Sequence, residues 1–269
     1  MTTVLFYDKP VAINRDQHRT AKIGTTTSFA FAAKTNSVAL TVVEFIEASK
    51  EYPIVFAAVG ERRIPVALLG LRDRENLYVD GDGKWDGRYV PAFVRRYPFV
   101  LADNGNNEFI VCIDEASPAF NAADGQSMFD TDGKNTPFLD NAMSFLNAFQ
   151  AQFARTEAFV KRLQELDLFT QMSAKTELTD GRSFVLNQLY IVDEQKLLQL
   201  DEKTAAELLK TGQAAWIYAH LMSLSNMSRL VDRISALAPA AADDKGTLSK
   251  PVAAAKPAAP AAKKVTEKA

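Results

Sequence analysis

Arg88, Tyr89, Arg95, Arg96 and Tyr97 form the densest group of basic and aromatic side chains in the sequence. A guanidinium fork pairs with carboxylate or phosphate through parallel hydrogen bonds, and a tyrosine ring stacks on a sugar or base. These five are the candidate ligand-binding residues, for an anionic small molecule or a glycan. The competing reading is a half-buried helix whose arginines pair with acids of the fold, such as Asp114 or Glu115. His220 is the buried polar candidate. A neutral imidazole inside a core can act as general base or metal ligand, or it can be a hydrogen-bonded structural group. His18 is the other histidine and is read as an exposed or capping group. With two histidines and the lone Cys112, a zinc site lacks ligands, so no metal is expected.

The acids offer less. Asp80, Asp82 and Asp86 suggest a calcium loop. The EF-hand pattern fails because Lys84 stands where an acid or amide is required and Trp85 where a glycine is. The stretch is therefore read as a turn. Asp114-Glu115 and Asp193-Glu194 each follow an apolar strand, as acid/base carboxylates or as solvated strand ends. No phosphate loop, dinucleotide fingerprint or nucleophile elbow occurs. No cofactor is implied, and whether the chain is an enzyme stays open.

Composition bounds the rest. Across 269 residues, 47% hydrophobic content and 17 Phe are enough for a real core. The net charge of −2 gives no general attraction to nucleic acid or anionic membrane, and no nucleic-acid partner is expected. Cys112 lies in an apolar run and has no partner for an internal disulfide. The N-terminus lacks the pattern of a secretory signal. A cytoplasmic location is the simplest expectation, with the cell surface, reached by a non-classical route, as the alternative.

The elements that must position these residues follow from periodicity. Residues 1–37 read as short extended pieces, with a weak strand signal at Phe29 and Phe31. Residues 40–50 fit a helix with Val43, Ile46 and Glu47 on one turn. Residues 53–59 and 65–71 read as buried strands joined by the polar turn Gly60-Glu61-Arg62-Arg63. A third strand is expected over 76–79. Residues 84–101 carry a helix with Pro91 in its first turn and Pro98 as its stop. Strands at 99–102 and 108–114 flank an Asn/Gly-rich turn. A long amphipathic helix covers 139–166, and a hairpin pairs 175–179 with 183–192. Asp201 caps a helix over 202–210, which Gly212 stops.

Residues 211–228 contain no Lys, Arg, Asp or Glu, in a chain that is 24% charged. Their polar groups are too many for a membrane span. A helix over 213–237, apolar nearly all round, is therefore read as buried. Residues 239–269 hold 11 Ala, 6 Lys and 4 Pro and no aromatic residue. Such a composition cannot offset its ordering entropy, so a disordered tail is expected. The expected organisation is one α+β domain over 1–238, strand-rich at its N-terminal side and helix-rich at its C-terminal side, plus the tail.

The segments YPIVF (52–56), ALLGL (67–71), NLYVDGDGKW (76–85), GRYVPAFVRRYPF (87–99), LYIVDEQKL (189–197) and IYAHLMSL (217–224) resemble the SapC family. That family comprises bacterial proteins of about this length, named from a surface-layer protein locus. The resemblance implies a binding or assembly role with surface-layer components as partners, and brings no catalytic residues. The alternative is a cytoplasmic enzyme or small-ligand protein that uses the arginine-tyrosine cluster. A permease of the same name needs several membrane spans, which this chain lacks.

Overall fold

The computed structural model describes residues 5–103, 109–178, 180–237 and 245–248. In chain order the strands are β1 (Pro10–Ala12), β2 (Lys22–Ile23), β3 (Ser37–Ala39), β4 (Ile54–Val59), β5 (Arg62–Leu68), β6 (Phe99–Asp103), β7 (Phe109–Asp114), β8 (Gln126–Ser127), β9 (Phe169–Glu177), β10 (Ser183–Val192) and β11 (Lys245–Leu248). The helices are α1 (Phe45–Ala48), α2 (Ala92–Arg95), α3 (Pro137–Glu165), α4 (Glu194–Leu198), α5 (Glu202–Lys210), α6 (Gln213–Ser223) and α7 (Met227–Ala236). The class is α+β. The described chain forms two compact units, one from residues 5–26 and 96–148, the other from residues 27–95 and 149–248.

In the first unit β7 lies between β1 and β6, antiparallel to both, with Val11 opposite Ile113 and Leu101 opposite Val111. β2 pairs with β8. Ile23, Phe99, Ile113, Met128, Leu139 and Leu146 close its core. Leu139 and Leu146 stand two turns apart on α3, and so share one face.

In the second unit β3, β5, β4 and β10 are neighbours in that order and antiparallel, and β9 also pairs with β10. β4 and β5 form the expected hairpin, but its turn is Gly60-Glu61 and both Arg62 and Arg63 belong to β5. Gly60 has a φ of +60°, a backbone state open to glycine at no steric cost.

Several expectations need correction. Phe29 precedes a short 3-10 turn, Ala30–Ala32, and Phe31 lies within it, so neither is in a strand; their rings meet each other. Residues 76–79 make one bridge, Val79 to Trp85, not a strand. The helix over 40–50 begins as a 3-10 turn at Val42, capped by Thr41, and continues as α1. Its buried face carries Val42, Phe45 and Ala48, while Val43 and Ile46 point outward. The helix around Pro91 is a single turn, α2, because Pro98 and the strand at Phe99 leave no room to extend it. The apolar stretch after Gly212 is broken by a 3-10 turn at Leu224–Asn226 into α6 and α7. It is not buried all round: Ile217 and His220 are buried, Trp216 is half-buried and Tyr218 and Met222 are exposed. Asp201 does cap α5, accepting from the Thr204 N–H at 3.0 Å.

The expected tail falls outside the described residues apart from β11, which runs parallel to the start of β10. Residues 104–108 of the expected hairpin turn, and Thr179, also lie outside them.

Candidate functional site

Tyr89 and Arg95 are built into the second unit. The Tyr89 hydroxyl donates to Glu44 Oε1 at 2.8 Å, and the Ala92 N–H donates to the same oxygen at 2.7 Å. The other Glu44 oxygen accepts from the Thr41 N–H and hydroxyl, each at 2.9 Å. Burial, with Glu44 alongside, pushes the Tyr89 phenol well above its ordinary pKa. Arg95 donates from Nε to the Val90 carbonyl at 2.9 Å, and its guanidinium lies 5.8 Å from the Tyr89 ring centre.

The backbone at Arg88 is fixed just as firmly. Glu51 accepts the Arg88 N–H at 2.8 and 2.9 Å and the Tyr89 N–H at 3.1 Å. The Tyr52 hydroxyl donates to the Tyr89 carbonyl and accepts from Trp85 Nε1 at 3.0 Å. Gly87 is where these groups converge. A Cβ there would stand 2.8 Å from the Tyr52 hydroxyl and 3.0 Å from both Glu51 Oε2 and Trp85 Nε1. The Arg88 side chain is exposed.

Arg96 and Tyr97 belong to the first unit. Arg96 hydrogen-bonds the Tyr7 side chain, and its guanidinium lies 6.0 Å from that ring's centre. Tyr7 donates to the Phe99 carbonyl at 2.7 Å, and burial pushes its phenol up to about 12. Tyr97 donates to Asp114 Oδ2 at 3.2 Å. The buried Asp114 also accepts the N–H groups of Asp8 and Lys9, at 3.2 and 2.8 Å, and so ties the segment before β1 to the end of β7. The five clustered residues thus divide: Arg88, Tyr89 and Arg95 in one unit, Arg96 and Tyr97 in the other.

His220 is fully buried on α6. Its Nδ1 is 2.8 Å from the Ile54 carbonyl and its Nε2 accepts the Val192 N–H at 3.0 Å. Those partners fix the neutral ring with its proton on Nδ1. Burial depresses its pKa to about 4, against which the Ile54 bond is the smaller effect. Both nitrogens are committed to backbone, bridging α6 to β4 and β10. Ser223 extends the bridge, accepting the Ile54 N–H at 2.9 Å.

His18 is buried, not exposed. It does cap, accepting the Asn14 N–H on Nδ1 at 3.0 Å, and its Nε2 lies 3.2 Å from Glu115 Oε1. Glu115 also binds Lys9 at 2.6 Å and Gln17 at 2.9 Å. The Lys9 bond, with those of His18 and Gln17, holds its carboxyl below the usual range.

Asp80 shapes a turn. Its Oδ1 accepts the N–H groups of Asp82 and Lys84 at 3.0 and 2.8 Å. Asp130 does the same for Lys134 at 2.8 Å, and Gly83 and Gly133 take φ of +79° and +78°. The two Asp-x-Asp-Gly-Lys turns, one in each unit, therefore share one conformation. Asp86 pairs with Arg233 at 2.7 Å, and Asp193 caps α4. Burial pushes the Cys112 thiol up to about 11, which keeps it protonated and unreactive at neutral pH. Among the described residues no group of three or more His, Cys, Asp or Glu is placed to hold a metal ion. Among the same residues no helix is long and apolar enough to cross a membrane.

Arg63, expected in the turn after residue 59, lies in β5. Its guanidinium lies 4.2 Å from the Tyr190 ring centre and 4.9 Å from that of Phe169. The sequence carries no signal for this contact, because Phe169 and Tyr190 reach Arg63 only through the pairing of β5, β4, β10 and β9.

The fold and these packed polar frameworks define an α+β protein whose candidate polar residues mostly brace its own backbone. The chain belongs to the SapC family, whose model matches residues 13–230. No curated protein and no solved structure matches it.

Proposed function

We propose that this chain is a non-catalytic binding or assembly protein linked to the bacterial surface layer, the role that the family's name implies. The exposed face of α6 carries the reading. Tyr218 is 45% and Met222 73% exposed, on a helix without an acidic residue, Lys or Arg. Val43 and Ile46, 49% and 53% exposed, stand on the 3-10 turn and α1, the segment that packs with α6. Solvent-facing apolar side chains grouped in this way are the usual mark of an interaction surface. The commitment of His220, Glu44 and Glu51 to backbone donors and acceptors supports the same reading, because these groups are occupied in holding the fold.

The test is made in the host bacterium. Cells lacking the chain are complemented with wild type or with a Tyr218→Lys/Met222→Lys double variant, and surface-layer protein on the cell is quantified. The expected result is loss of the layer without the chain, rescue by wild type and little rescue by the double variant. The double variant should melt with the wild type, since both side chains already face water. A normal layer in cells lacking the chain overturns the link. Full rescue by the double variant removes this face from it.

A further inference from the structure

We propose that Arg63, Tyr190 and Gln171 form a binding ledge for a small organic carboxylate. The three stand on β5, β10 and β9. In the register Arg63 faces Ala58, Phe56 faces Tyr190 and Tyr190 faces Gln171. Directly opposed residues share a face, as do residues two apart on a strand. Arg63, Ala58, Phe56, Tyr190 and Gln171 therefore line one face, with Phe169 two residues before Gln171. The ring contacts agree: Phe56 meets Phe169 at 4.8 Å, and the Arg63 guanidinium lies over both Phe169 and Tyr190.

This face is closed at one end and open at the other. Phe56 and Phe169 are buried, His220 packs on Phe56, and Ala58 and Gln171 are exposed. Arg63 spans the boundary. Its Nε is buried without a hydrogen-bond partner, and its two Nη groups are unburied and bond no described residue. The Tyr190 hydroxyl likewise bonds no described residue and is not buried. The guanidinium thus lies against two aromatic rings, and its Nη groups bond no described residue. A guanidinium fixed in this way loses little freedom on binding, and its Nη pair matches the two oxygens of a carboxylate.

Charge decides between carboxylate and phosphate. The next cation along β5, Arg62, points to the opposite face and is paired with Glu157 at 3.3 Å. One unpaired cation with two neutral hydrogen-bonding side chains, the Tyr190 hydroxyl and the Gln171 amide, balances one negative charge. Ala58, opposite Arg63, is small and exposed. This inference goes beyond the surface-layer reading and does not use the α6 face, so either can fail alone.

The test follows the Arg63 Nε–H resonance by nuclear magnetic resonance in the full chain, which burial should protect from rapid exchange. Sodium glucuronate and sodium N-acetylglutamate are titrated against glucose, sodium phosphate and sodium chloride at matched ionic strength. A saturable shift with either carboxylate, absent with glucose and chloride, is expected, and the tighter of the two identifies sugar acid or amino acid as the source. Tyr190→Phe and Gln171→Ala should each weaken binding roughly three- to tenfold with an unchanged melting temperature. Arg63→Gln, followed on the ligand signals, should abolish it. Tighter binding of phosphate, an equal response to chloride, or affinity unchanged in all three variants overturns the proposal.

Discussion

The Tyr89 hydroxyl donates to the Glu44 carboxylate at 2.8 Å, joining the turn before α1 to the segment that precedes α2. Glu44 is buried and accepts from four donors in all: the Thr41 N–H, the Thr41 hydroxyl, the Tyr89 hydroxyl and the Ala92 N–H. Tyr89 is therefore a brace in the fold, its hydroxyl committed to Glu44.

Removing that carboxylate strands several donors inside the protein. Glu44→Ala should destabilise the fold by about 3 kcal/mol or more, since each buried donor left unpaired costs roughly 1–3 kcal/mol. Tyr89→Phe, which removes one donor together with its bond, should cost only about 1 kcal/mol. Urea unfolding of both variants measures the difference. Equal losses would mean that the bonds to Thr41 and Ala92 contribute nothing.

His220 makes stability depend on pH. Its folded pKa is about 4 against an ordinary 6.5, so the unfolded chain takes up a proton first as pH falls. Stability from this group is fully present above about 7 and is lost as pH drops from 6.5 toward 4. The loss is on the order of 3 kcal/mol. Urea midpoints between pH 4 and 8 should slope down on the acid side for wild type. The slope should flatten in His220→Gln, which lacks the titrating ring. An equally steep slope in that variant would assign the effect to other groups.

Gly87 is required for its lack of a side chain. Gly87→Ala would drive a methyl group against Tyr52, Glu51 and Trp85, and relief requires breaking the bonds by which they hold residues 88 and 89. Overpacking of this kind typically costs about 1–3 kcal/mol. Gly81→Ala is the control, because nothing stands within 4 Å of a Cβ there. Thermal melts of the pair should separate clearly.

The features legible in the chain were local or compositional. The β4–β5 hairpin, the long α3 and the Asp201 cap follow from apolar runs, helical spacing and a side chain that reaches its own backbone, so no distant residue is needed to specify them. The family was legible too, because it is carried by short segments along the chain. Tertiary structure decided the rest. Val43 and Ile46 have the spacing of a buried face, yet Val42, Phe45 and Ala48 are the ones inside, since α3 and α6 cover that side. The apolar stretch after Gly212 looked buried all round, but it meets neighbours on only part of its circumference. Arg63 read as a turn residue until pairing with β4 drew it into β5. Its partners Phe169 and Tyr190 lie more than a hundred residues further along, and only strand register brings their rings to it.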